Sequence, residues 1–223
     1  YNEIGRGLEQ DVGRTLRSHA KDYGLNLLTR LQQTSAAADQ IARIVEREGA
    51  EAITEHAYLV DGVEAMWTVE GERVDAQYFG EPGNVVPLAD LAALPEGMAF
   101  PTLVTGVGAG ADSLVFLRRI RPGTSDARVL AIKPTADRLW GPSDSLPYST
   151  DICVFTVAGA ALHCSAAMDS GLHAELTLPS ARISQALVEW SAHDGAHLAV
   201  NWQLFLAGEF NAPALDIVAS QPE

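Results

Sequence analysis

The chain is poor in basic residues, in aromatic residues and in cysteine. Its 223 residues include 15 Lys and Arg against 29 Asp and Glu, a formal net charge of -14. Such a charge repels the phosphate backbone of nucleic acids and anionic lipid surfaces, which argues against direct nucleic-acid binding. No run comes near the roughly 20 apolar residues that cross a bilayer. With 47% hydrophobic residues, the chain can instead fill a globular core.

Catalytic and metal signatures are also missing. There is no Gly-x-Ser-x-Gly elbow, and the glycine-rich stretch 106–110 is followed by no P-loop lysine. His193 and His197 have the i, i+4 spacing of a helical metal pair, but Gly195 lies between them and predicts a turn. We therefore assign no catalytic residue, no metal site and no cofactor.

A long helical pattern opens the chain. Residues 3–47 contain no Pro, and apolar side chains recur three or four positions apart at Ile4, Leu8, Val12, Leu16, Ala20, Tyr23, Leu27 and Leu31. The hydroxyls of Thr34 and Ser35 can cap a helix, so we predict a break or kink near residue 34 and a second helix that ends at Gly49. The stripe from Ile4 to Leu16 is expected to be exposed and to need a partner.

Short β-type runs follow Gly49, separated by turn residues. In the first half they cover 53–60, 65–69, 74–79, 102–107, 113–120 and 128–132. In the second half they cover 152–157, 160–165, 197–206 and 214–220. Helices are predicted at 136–140 and, with amphipathic spacing, at 178–190. The order predicts an α+β fold in which a long N-terminal helix precedes two lobes with antiparallel sheets.

Three stretches of the chain carry a resemblance to a known family. They are 18–28 in the long helix, 138–141 with 146–147, and the final stretch, which includes 202–206, 210–213 and 218–222. Together they resemble the periplasmic, PAS-like sensor modules of the Cache type, in the double form, found in bacterial transmembrane cyclic-di-GMP enzymes with GGDEF or EAL output domains. The resemblance implies a ligand sensor on the periplasmic side of the bacterial inner membrane, without catalytic activity of its own.

The resemblance also implies an organisation. Residues 1–48 would form the signalling helix and the second helix, 49–148 the membrane-distal lobe, and 149–223 the membrane-proximal lobe. The chain would form a homodimer through its N-terminal helix and reach the membrane only through flanking segments. Its partner would be a small molecule, with no nucleic acid involved.

Four side chains are predicted to contact that small molecule in the first lobe: Trp67, Tyr78, Arg118 and Lys133. Arg can bind a carboxylate with two hydrogen bonds, and aromatic rings cover apolar area, so the pattern favours an anionic or amphipathic ligand. For Trp67 core packing is the simpler interpretation, and for Lys133 a solvated strand edge.

The two cysteines can be paired from their spacing. If Ala158-Gly159 is the centre of a hairpin, Cys153 and Cys164 face each other across the ladder, because each lies five positions from the nearer of the two turn residues. An extracytoplasmic location would allow a disulfide. The alternative is two reduced core cysteines.

Other classes of protein share these properties. The sensor of a histidine kinase or of a chemoreceptor would have the same architecture, and a soluble periplasmic solute-binding protein or enzyme would also be acidic and poor in cysteine. A sensor of a partner protein is a further alternative, against which a deep cleft would count. The sequence of the flanking gene segments separates the sensor from the soluble proteins.

Overall fold

The computed structural model describes residues 2–70, 73–82, 94, 97, 99–104, 113–121, 128–166, 187–192, 195–210 and 212–222. The helices are α1 (Asn2–Glu48), α2 (Ala57–Val60), α3 (Ala136–Trp140) and α4 (Ala207–Phe210), with 3-10 helices at Ala50–His56 and Ser143–Ser145. The strands are β1 (Val63–Glu70), β2 (Arg73–Phe79), β3 (Phe100–Val104), β4 (Ser113–Ile120), β5 (Arg128–Pro134), β6 (Asp151–Thr156), β7 (Ala161–Cys164), β8 (Val188–Ala192), β9 (Gly195–Leu204) and β10 (Leu215–Pro222).

The strands form two separate antiparallel sheets. The first sheet has the order β2-β1-β5-β4-β3, and the second has the order β7-β6-β10-β9-β8. The α+β prediction, with one long helix and two antiparallel sheets, is therefore confirmed. The chain divides into two units, of which one comprises 1–28, 142–209 and 213–223, and the other comprises 29–141 and 210–212.

The predicted break near residue 34 is wrong, because α1 continues through it to Glu48. The two hydroxyls that could have capped a new helix are used otherwise. Thr34 donates to the carbonyl of Arg30 at 2.8 Å, and Ser35 donates to the carbonyl of Ala99 at 2.7 Å. Both bonds satisfy the side chains without opening the helix. The predicted end at Gly49 is confirmed by its left-handed φ of 86° and its N–H bond to Val45.

The N-terminal stripe is less exposed than predicted. Leu16 is completely buried, and Val12 is half-buried. The side chains of Ile4 and Leu8 lie outside the described part of the chain. The exposed stripe is thus wrong at Leu16, because the second-sheet unit to which residues 1–28 belong already covers that turn of the helix.

Two further elements differ from the sequence prediction. Residues 53–60 form helical turns rather than a strand, because the sheltered side chains Ile53, His56 and Leu59 recur every three positions, the repeat of a 3-10 helix. Residues 188–190, predicted as the end of a helix, belong to β8 and pair with β9. Pairing along a free strand edge outweighs a local helical spacing. Residues 178–186 and 106–110 are not among those described.

Gly24 sets the distance between α1 and the second sheet. A Cβ added at Gly24 would lie 2.7 Å from Cε3 of Trp202 and 2.8 Å from Cδ1 of Ile217. We expect Gly24→Ala to lower the free energy of unfolding by about 1–2 kcal/mol, because overpacking outweighs the better helix propensity of Ala. Chemical denaturation measures the change.

Gly7→Ala is the matched control in the same helix, since an added Cβ there meets no described atom within 4 Å. It should raise stability by about 0.5–1 kcal/mol. Equal effects of the two substitutions would contradict the close contact, whereas recovery of Gly24→Ala by Trp202→Leu would support it.

Candidate functional site

Trp67 lies in β1, the second strand of the first sheet, and is completely buried. Its ring packs in a cluster of apolar side chains that comprises Ala65, Val69, Leu94, Val115, Leu117, Val129 and Ala131, with Val74 at its margin. The indole Nε1 is also buried, and no hydrogen-bond partner for it exists in the structure as described. Buried indole N–H groups normally have a partner. Trp67 is therefore a core residue, as the simpler interpretation has it, with a buried donor that no described group accepts.

Arg118 lies on the opposite face of this sheet. In the ladder, Leu117 pairs with Ala131 and Ala131 with Trp67, so that Arg118 alternates to the other side. Its guanidinium donates to the backbone carbonyl of Asp39 at 2.7 Å and forms an ion pair with the carboxylate of Asp39 at 3.2 Å. The structure therefore does not bring Arg118 and Trp67 together.

The other two predicted residues are Lys133, near the end of the central strand β5, and Tyr78, in a strand at the edge of the first sheet. Lys133 donates to the carboxylate of Glu64 at 2.6 Å. Tyr78 lies in the edge strand β2 and is half-buried. Close to it, the pairing of β1 with β2 shifts register between Met66 and Trp67 of β1. Trp67, Tyr78 and Lys133 thus lie on three adjacent strands, β1, β2 and β5, of which β1 is the middle one. Their role as ligand contacts stays a prediction.

A cavity of about 310 Å³ lies near the end of β4. It is lined by Glu46, Gly97, Arg118, Arg119 and Arg121. The Nε of Arg118 is buried there and makes no hydrogen bond to any described residue. The volume is at the lower limit of small-molecule sites, and three guanidinium groups favour an anion.

Sequence reasoning missed Arg119 and Arg121. The signal was present, because residues 118–121 contain three arginines in a chain with only 15 basic residues. The alternation of side chains between the two faces of a sheet argued against a shared site for these arginines. Neighbouring side chains of a strand point to opposite faces, and only the strand end lets them line one cavity.

The second sheet contains both cysteines. Cys153 pairs with Cys164 between β6 and β7, so the predicted register is confirmed, and the structure joins the two residues in a disulfide. The turn at Ala158-Gly159 has the left-handed φ of 92° at Gly159 that a tight hairpin requires. Next to Cys164, burial lowers the pKa of His163.

Within the described ranges, no three His, Cys, Asp or Glu side chains are grouped as metal ligands. His197, one of the pair singled out by spacing, lies in β9 and not on a helix. No described helix combines the length and hydropathy needed to cross a bilayer.

The fold is similar to that of several solved sensor domains. The ligand-binding domain of the Pseudomonas fluorescens chemoreceptor CtaA, in complex with L-isoleucine, matches with a TM-score of 0.62 and 14% identity over 100% of this chain and 95% of that chain. A domain of a putative sensory box/GGDEF family protein from Vibrio parahaemolyticus matches with a TM-score of 0.59 and 12% identity, over 98% and 97%. The sensor domain of the V. cholerae histidine kinase DctB matches with a TM-score of 0.57 and 8% identity, over 97% and 99%.

The chain spans 39% of the length of an extracellular ligand-binding receptor from Desulfohalobium retbaense, with a TM-score of 0.54, 13% identity and 92% of this chain covered. No protein-family model matches the sequence, and no curated protein is significantly similar to it. At these identities the likeness establishes a shared fold.

Proposed function

We propose that the chain is the extracytoplasmic ligand-sensing domain of a bacterial transmembrane signalling protein, without catalytic activity of its own. The observation that carries the proposal is the match, over nearly the whole of both chains, to the ligand-binding domain of a chemoreceptor and to the sensor domain of a histidine kinase. Fold alone does not define function. The cavity at the end of β4, with the buried Nε of Arg118 beside it, adds a site of the kind that a sensor needs.

The ligand would be a small molecule with an anionic group. Among the described residues, Arg118, Arg119 and Arg121 line the cavity together with a single carboxylate, that of Glu46. The ligand-binding domain of CtaA is complexed with L-isoleucine in one structure and with L-serine in another, so amino acids and other small carboxylates are the first compounds to test.

Signal transmission would use the long helix. The first lobe, 49–148, would be membrane-distal and the second, 149–223, membrane-proximal, with α1 pairing against a second copy in a homodimer on the periplasmic side of the inner membrane. Ligand binding must favour one of two conformations to transmit anything. A displacement of paired helices is one way in which such a difference crosses a membrane.

The output domain would be a diguanylate cyclase or a cyclic-di-GMP phosphodiesterase. The resemblance of the three sequence stretches and the match to a GGDEF-family protein favour this output. The matches to a histidine kinase and to a chemoreceptor favour the alternatives equally. The cytoplasmic coding sequence of the full gene decides among them, since GGDEF, EAL, kinase and chemoreceptor motifs are distinct.

A thermal-shift screen with L-amino acids and other small carboxylates tests the sensor function. A ligand at 100 times its dissociation constant should stabilise the chain by about 2.7 kcal/mol. In a domain of this size that corresponds to a rise in Tm of about 5–10 °C. No shift with any compound, combined with turnover of one of them, would favour the soluble enzyme instead.

Two variants locate the site. Arg121→Ala alters the cavity at the end of β4, whereas Trp67→Phe removes the indole donor on the opposite face of the sheet and keeps an apolar ring. Arg121→Ala should weaken binding of a carboxylate in the cavity by about tenfold, the loss expected when a charge-assisted hydrogen bond is removed, and a comparable loss in Trp67→Phe alone would move the site to the other face. Trp202→Phe is the matched control, because it makes the same chemical change beside Gly24. Unchanged binding in both test variants would contradict a site in the first lobe.

A further inference from the structure

The two sheets differ in the side chains that one face of each buries. In the first sheet, the face that carries Trp67 has a cluster of eight buried apolar residues among those described. In the second sheet, the face that carries Cys153 has four described buried apolar residues, Cys153, Phe155, Ala199 and Val218, against which Cys164 and Val188 pack. Several other positions of that face are polar.

Register and alternation identify these polar residues. Asp216 pairs with Gln203, Val218 with Asn201, and Ser220 with Ala199. Since Val218 belongs to the apolar cluster, Asp216 and Ser220, two positions away on either side, share its face. Trp202 and Ile217, which approach Gly24 of α1, lie on the other face.

Asp216 is the centre of the group. It lies in β10, the middle strand of the sheet, and its side chain is completely buried. Its Oδ1 accepts hydrogen bonds from Nε2 of Gln203 at 3.0 Å and from Nδ2 of Asn201 at 3.4 Å. A buried carboxylate requires such donors, because burial removes its hydration.

Two acceptors beside this carboxylate are unused. Asn201 turns its amide N–H toward Asp216, which leaves its Oδ1 as an acceptor, and that oxygen is buried without a hydrogen-bond partner in the described structure. The Oγ of Ser220, in a residue only 1% exposed, is likewise buried and has no partner among the described atoms. Diagonal neighbours on an antiparallel ladder are about 7–8 Å apart, so one small molecule can reach both.

We propose that this face of the second sheet is a second ligand site, which takes a small molecule with a primary ammonium group. The ammonium carries three N–H donors and a positive charge. Two of these donors match the acceptors Asn201 Oδ1 and Ser220 Oγ, and the carboxylate of Asp216, which lies on the other side of Asn201, favours the positive charge. The site is separate from the anion-binding cavity of the proposed function and belongs to the other lobe.

The test is calorimetric titration of the intact chain with ethanolamine, putrescine and methylammonium, with ethylene glycol as the neutral counterpart of ethanolamine. At least one amine should bind, and ethylene glycol should not. Asp216→Asn, which keeps the shape and removes the charge, should weaken amine binding at least tenfold. Ser220→Ala should weaken it severalfold, while Trp67→Phe in the other lobe should leave it unchanged.

Other results would overturn the proposal. One is that no amine binds, as expected if ordered water donates to both acceptors. Another is that the native chain and Ser220→Ala bind the amine with equal affinity. Loss of amine binding in Trp67→Phe alone would move the ligand to the first lobe, which overturns this site but supports the proposed function. Should Asp216→Asn not fold, Ser220→Ala and the ligand-induced shift of the Asn201 side-chain amide NMR signals decide the matter.

Discussion

Replacement of Arg118 by alanine is expected to lower the free energy of unfolding by about 3 kcal/mol. The Arg118 side chain is only 8% exposed, and it lies between Asp39 at 3.2 Å and Glu46 at 3.9 Å. Its removal takes the paired cation from the carboxylate of Asp39 and the donor from its carbonyl, and it takes one of the nearby cations from Glu46, which keeps the backbone N–H of Arg121. The value is at the low end for buried pairs because these carboxylates are 20% and 28% exposed.

Urea denaturation of Arg118→Ala and of Arg14→Ala measures the effect against a control. Arg14 forms an ion pair with Asp11 whose side chains are 79% and 72% exposed, so its replacement should change stability very little. The double variant Arg118→Leu with Glu46→Gln should regain part of the loss, because one stranded charge is neutralised. Similar stability of Arg118→Ala and Arg14→Ala would show that the buried cluster contributes nothing.

Reduction of the Cys153–Cys164 disulfide is expected to cost about 3 kcal/mol of stability. The bond closes a short loop, since the cysteines are 11 positions apart, and the chain-entropy estimate for a loop of that length gives this value. The midpoint of urea denaturation should therefore fall when a reducing agent is added. In the double variant Cys153→Ala with Cys164→Ala, the same reagent should have no effect.

The oxidation state itself is tested by thiol titration of the unfolded, unreduced chain. No reactive thiol, together with an unchanged monomer mass, is the expected result. Two reactive thiols per chain would contradict the disulfide and favour reduced core cysteines. The result also bears on the location of the protein, because such bonds persist in oxidising compartments.

The candidate site was only partly predictable from sequence. Trp67 and Arg118 were both singled out by chemical type, yet the ladder places them on opposite faces of one sheet. The polar face of the second sheet was not predicted at all. Asn201 and Asp216 are 15 positions apart, and only the pairing of β9 with β10 brings their side chains within 3.4 Å. No local pattern carries information about such a pairing.

The sequence by itself determined those features whose cause is local. The Pro-free spacing of 3–47 specifies a helix, Gly49 ends it, and the turn at Ala158-Gly159 fixes the register of the two cysteines. Tertiary structure decided the rest. Ser35 does not break α1 because its hydroxyl bonds to Ala99, 64 positions away, and 188–190 are a strand because β9 offers an edge. Turns and helix ends depend on neighbours in the chain, whereas a hydroxyl or a strand edge takes whichever partner the fold brings to it.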